Sequence, residues 1–162
     1  MADRDALLTD LVAARDAFHD VLATVDAELA TVPGVMEDWS VRDLVFHLAV
    51  WCEHAAEALA LATAGRGDEF AYSTGDTDAM NERFLAEGRS VSPAQALRRE
   101  DAAFAAFHAA VAAVEPAVLD LKLGNGDSVE EVIAYDGPEH YAEHTEHLRA
   151  WFGTDDDDDR DT

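Results

Sequence analysis

"DWSVRDLVFHLAVWCEHAAEALALATAG" occupies residues 38–65. Ser40 stands three residues before Asp43, the spacing at which a serine caps a helix and the third helical side chain reaches back to the cap's own N–H. Beyond that start, Leu44, His47, Leu48, Trp51 and Ala55 share one helical face, the periodicity of a buried stripe. The spacing predicts a helix ending near Gly65, with an imidazole among its inward residues. A lone histidine on such a face is ordinarily a core group with a hydrogen-bond partner.

The flanking segments repeat the pattern. Upstream, Leu8, Leu11, Arg15, Phe18, Leu22, Val25 and Leu29 alternate in steps of three and four, which predicts a first helix from about Asp3 to Thr31 before Pro33 and Gly34 break it. Downstream, "RGDEFAYSTGDTDAMNERF" is polar and too long for a minimal helix connection, so a short helix is expected around Asp76 to Glu87. Ser92, Pro93 and Gln95 form a second helix start, followed by Leu97, Phe104, Phe107, Val111 and Val114 on the inward side and an end at Pro116. Ser128 and Glu131 predict a short helix through Ala134, and Pro138 opens a last one to about Phe152. No run of alternating β-branched residues appears. The fold class read from this pattern is all-α, an antiparallel four-helix bundle with a long middle connection.

Size and charge narrow the function. A chain of 162 residues with 49% hydrophobic content fits one domain with a sizeable core, expected over residues 1–153. "TDDDDDRDT" at 154–162 reads as an acidic disordered tail. The uninterrupted apolar stretches fall short of the ~20 residues a membrane span needs, and the N-terminus "MADRDALLTD" has no signal-peptide pattern. A cytoplasmic protein without a membrane partner is therefore expected. Cys52 is the single cysteine, so no internal disulfide and no multi-thiolate zinc site can form; it reads as a small buried hydrophobe. Against 35 acidic residues stand 11 basic ones, for a formal charge of −24. So acidic a chain is expected to repel nucleic acid, and its aspartate-rich, lysine-poor composition suggests a salty cytoplasm where the repulsion is screened.

"HYAEHTEHLRAW", residues 140–151, holds three of the seven histidines. At 3.6 residues per turn, His140, His144 and His147 fall within an arc of roughly 60°; Trp151 shares it, and Tyr141 and Leu148 border it. They sit at the edge of the inward stripe. Two histidines one turn apart can ligate one ion, and a third from another helix completes a three-nitrogen set with positions left open. The HExxH protease motif is absent, because Tyr141 follows His140. Glu139 and Glu143 read as solvated carboxylates, with orientation of the imidazoles as the alternative role.

These segments carry a family resemblance. "DWSVRDLVFHLAVW" (38–51) resembles the helix-two signature of the DinB-like superfamily of four-helix metalloproteins, "EHYAEHTEHLRAWF" (139–152) resembles its helix-four signature, and "DTDAMNERFLAEGRSVSPAQALRRE" (76–100) is similar to the middle segment of the colibactin self-protection branch. The resemblance implies a divalent metal, zinc or nickel foremost, held by His47, His140 and His144. It also implies a homodimer, and transferase or isomerase chemistry with a low-molecular-weight thiol on a small-molecule substrate; the alternatives are a stress or toxin-resistance protein that binds or hydrolyses a small electrophile without thiol, and a non-catalytic dimeric metal-binding module. His54 and His147 are not matched by that pattern, and His19 and His108 have no partner identifiable from the sequence. Trp39 and Trp51 match packing positions. Asn81 and Tyr72 are candidates to border the electrophile, Asn81 reading more simply as a local hydrogen-bonder. Arg42, Arg83 and Arg149 are the candidate cations for an acidic ligand.

Overall fold

The described residues form six α-helices: α1 (Arg4–Leu22), α2 (Val41–Thr63), α3 (Thr77–Gly88), α4 (Pro93–Ala113), α5 (Val129–Asp136) and α6 (Pro138–Phe152). The computed structural model describes residues 3–71 and 76–153. Among them there is no β-strand, only two isolated bridges, Met36 to Trp39 and Lys122 to Ser128. The four long helices α1, α2, α4 and α6 form the antiparallel bundle, with α2 packed chiefly on α4 and α1 on α6. Helix α3 lies against α2, and α5 against α2 and α6. The acidic tail lies outside the described residues.

Capping chemistry sets most of the boundaries. Ser40 with Asp43, Ser92 with Gln95 and Ser128 with Glu131 each form the full reciprocal box, satisfying two N–H groups the helix itself cannot. Helix α1 is shorter than its apolar period suggests. It stops at Leu22, and Ala27–Leu29 form a separate 3-10 turn. The Thr24 hydroxyl donates to the Val21 carbonyl, a local bond that competes with helix continuation. Leu29, expected inside, is 39% exposed.

Helix α2 is the spine of the core, with Leu44, His47, Leu48, Trp51 and Ala55 all buried. It is the one described helix long and apolar enough to cross a membrane, yet 67% of its most apolar stretch is buried inside the fold. Its hydrophobicity is thus largely taken up by packing.

The α5–α6 junction depends on a glycine. A Cβ at Gly137 would lie 2.6 Å from the Ile133 carbonyl oxygen and 2.9 Å from Leu11 Cδ1, closer than any unstrained contact. Helix α6, and the histidines in its first two turns, take their direction from this bend. Gly137→Ala is expected to cost roughly 1–3 kcal/mol through overpacking and to lower the melting temperature by several degrees in calorimetry.

Candidate metal centre

His47 lies in the second turn of α2, behind the Ser40–Asp43 cap, while His140 and His144 occupy consecutive turns of α6 just after the Gly137–Pro138 bend. The fold brings the three together: one nitrogen from each lies within 4.8 Å of the others. His47 Nε2 and His140 Nε2 are 2.8 Å apart. The ring centroids of His144 stand 5.1 Å from His47 and 4.6 Å from His140.

Burial keeps all three neutral. Desolvation, then the charge of His144, holds His47 down at about 3. Desolvation, then His140 and His147, holds His144 at about 2. Desolvation, then His47, pushes His140 well below the usual imidazole range. Neutral rings keep the lone pairs a metal requires. The cluster is also incompletely satisfied from within. His47 Nδ1, His140 Nδ1 and His144 Nε2 are buried without a hydrogen-bond partner, and each such group ordinarily costs about 1–3 kcal/mol. A cation accepting the lone pair of His144 Nε2, beside the Nε2 atoms of His47 and His140 that face each other, would relieve the cost of that one atom, and three neutral imidazoles are a donor set that fits a divalent ion.

Neighbours hold the rings in place. His144 Nδ1 and His147 Nδ1 are 3.1 Å apart, which leaves His144 Nε2 for the cluster and gives His147 an orienting role. Trp39 packs edge to face on His47 with centroids 4.9 Å apart. Trp51 Nε1 donates to Asn81 Oδ1 at 3.0 Å, so Asn81 both hydrogen-bonds a bundle tryptophan and lines the cavity above the histidines. That cavity has a volume of about 770 Å³, with His47, His140 and His144 in its wall. Glu143 lines it as well and Glu139 does not, although both are exposed. Tyr72 lies outside the described residues.

The candidate cations are elsewhere. Arg42 bonds Asp43 at 3.3 Å, Arg149 bonds Glu146 at 2.6 Å, and Arg83 lies over the Phe84 ring. No arginine or lysine lines the cavity among the described residues. His54 stacks near Trp51 and Phe84, and His108 near Phe104; neither joins the cluster. Cys52 is buried, and desolvation raises its thiol to about 12, so it is inert at neutral pH.

The family model described as "Mycothiol maleylpyruvate isomerase N-terminal domain" matches residues 11–150. The chain belongs to that family. With it the DinB-like assignment and the all-helical fold class hold. No curated protein matches the family member by sequence. Solved structures share its fold, among them the following two. An uncharacterised protein from Escherichia coli UTI89 aligns with a TM-score of 0.78 and 17% identity over 91% of each chain. The colibactin self-resistance protein ClbS, solved in complex with a double-stranded DNA, aligns with a TM-score of 0.79 and 14% identity over 93% of this chain and 96% of that one.

The ClbS structure overturns the expected absence of a nucleic-acid partner, because the same fold is there seen with a duplex. The charge reasoning fails physically as an exclusion. A formal charge is a sum over the whole surface, whereas binding is decided by the local field of one face within a screening length of about 8–10 Å.

Proposed function

We propose that this family member is a metal-dependent transferase or isomerase that uses a low-molecular-weight thiol on a small electrophile, with a divalent ion held by His47, His140 and His144. The observation that carries the reading is the set of three neutral, incompletely bonded imidazoles in the wall of a substrate-sized cavity. A divalent ion there supplies Lewis acidity that draws the pKa of a thiol or water toward neutrality. Among the described residues the cluster has three members, the ligand number of catalytic rather than structural zinc sites.

The chain's own groups take the remaining roles. His147 fixes the tautomer and orientation of His144, Trp39 and Trp51 pack about His47 and shield it from water, and Asn81, held by Trp51, faces the electrophile. Cys52 is excluded as the reacting thiol by its burial, so the thiol is external. The expected result is that zinc- or nickel-loaded protein accelerates the loss of free thiol with a chlorinated nitroaromatic, and that chelation removes the acceleration. Equal rates after chelation would refute it.

A second reading, a stress or resistance protein that binds or hydrolyses a small electrophile without thiol, draws support from the lack of any described cationic side chain to receive an anionic thiol. Product formation in the absence of thiol distinguishes it. Double-stranded DNA stands as a candidate partner through the ClbS structure, and binding of a labelled duplex that weakens steeply with salt is its signature. A cytoplasmic location accords with both readings.

A further inference from the structure

The cavity above the histidines is lined by Glu37, Asp78, Glu82, Asp127, Asp136 and Glu143, with no arginine or lysine among the described lining residues to balance them. On so acidic a chain, exposed rim carboxylates carry little information. Asp136 is different. It is 4% exposed, it lines the cavity, and its Oδ2 has no hydrogen-bond partner. Asp127, which also lines the cavity, is already engaged: its Oδ2 accepts from Tyr135 Oη at 2.8 Å and from Asn125 Nδ2 at 3.1 Å. Burial, then the charge of Asp127, pushes the Asp136 carboxyl well above its usual range, so unpartnered it is favoured in the neutral form, and a cation placed against it would draw it back to the carboxylate. Trp39 and Trp51 add aromatic surface, which attracts cations as well as apolar groups.

We propose that the cavity selects a small organic cation, an ammonium group on an apolar or aromatic body, with Asp136 as the side chain that receives the ammonium. The inference deepens the reading of this cavity as the substrate chamber and rests on it. The electrophile is accordingly an amine-bearing one, and anionic substrates are disfavoured.

Calorimetric titration of three matched probes, phenethylamine, phenethyl alcohol and phenylacetate, tests this on chelator-treated and on zinc-loaded protein at constant ionic strength. In the metal-free protein the amine should bind at least about tenfold tighter than the alcohol, the magnitude of a hydrogen bond to a charged group, and phenylacetate should bind weakest. Asp136→Asn should remove the preference by weakening the amine about tenfold while leaving the alcohol unchanged. Equal affinities, a preference for phenylacetate, or a preference that survives Asp136→Asn would overturn the proposal. Should the variant fail to fold, the wild-type ranking decides alone. Zinc stoichiometry is measured on the same preparations: absent zinc with the amine preference intact refutes the metal reading only, and bound zinc without the preference refutes this one only.

Discussion

His140→Ala should abolish the stabilisation of this protein by divalent metal while leaving the metal-free bundle close to its original stability. A ligand present at a hundredfold over its dissociation constant stabilises by about 2.7 kcal/mol. For a chain of this size each kcal/mol moves the melting point by about 2–4 °C, so zinc or nickel should raise it by roughly 5–11 °C in the wild type. In His140→Ala the shift should vanish. The metal-free comparison is the more diagnostic half. Deleting the His140 ring removes its unpartnered Nδ1 but also takes Nε2 away from His47 Nε2, two effects of opposite sign and similar size. His54→Ala, outside the cluster, should keep the full metal shift. Stoichiometric metal retained by His140→Ala would refute the ligand set.

Much of the scaffold around that site is written locally. Ser40 with Asp43, Ser92 with Gln95, and Ser128 with Glu131 lie three residues apart, so the helix starts they mark need no knowledge of the fold. The end of α1 does not, since Val25 and Leu29 keep the apolar period after the helix has stopped at Leu22. The inward face of α4 also differs from its pattern. Leu97 is 37% exposed, while Ala96 and Glu100 are buried. An apolar-stripe reading rejects a glutamate, and the arginine that makes its burial tolerable is 85 residues away on α1. The meeting of His47 with His140 spans 93 residues. Helical arcs placed His140 and His144 together, but only the family resemblance joined them to His47. The acidic lining of the cavity had no sequence signal, because it is assembled from the 36–39 turn, α3, the 125–127 turn and the α5–α6 junction.

The histidine cluster and Glu100 are mechanically connected. Tyr141 follows His140 on α6 and donates its hydroxyl to Glu100 Oε1. Arg15 Nε donates to the same oxygen at 2.8 Å, while Oε2 accepts from Arg15 Nη2 at 2.9 Å and lies 3.0 Å from His19 Nε2. Arg15 is also paired with Asp101. One carboxylate thus ties α1, α4 and α6, and helps to set the depth at which the His140–His144 face enters the bundle. His19, without an identifiable partner in the sequence, belongs to this knot. The group of His19, Glu100 and Asp101 has a metal-like spacing, but both Glu100 oxygens are already occupied by Arg15, His19 and Tyr141, which makes it structural.

Glu100→Ala should therefore be among the most destabilising single changes available. Removing one partner of a buried ion pair leaves the others uncompensated and typically costs about 3–5 kcal/mol, here a fall in melting temperature of roughly 6–20 °C. The pH dependence gives an independent reading. Burial alone would raise the Glu100 carboxyl, but the bonds from Arg15, His19 and Tyr141 and the charge of Arg15 outweigh it and hold the group at about 2, against an ordinary value of 4.5. The unfolded chain therefore takes up this proton at higher pH than the folded one. The associated stability, on the order of 3 kcal/mol, is fully present above about pH 4.5 and is lost as the pH falls toward 2. Denaturant melts from pH 7 to pH 2 should show that loss in the wild type, and Glu100→Gln should reduce its slope across the lower part of the range. A variant with the wild-type slope would mean that Glu100 is not the acid-labile link between α1, α4 and α6.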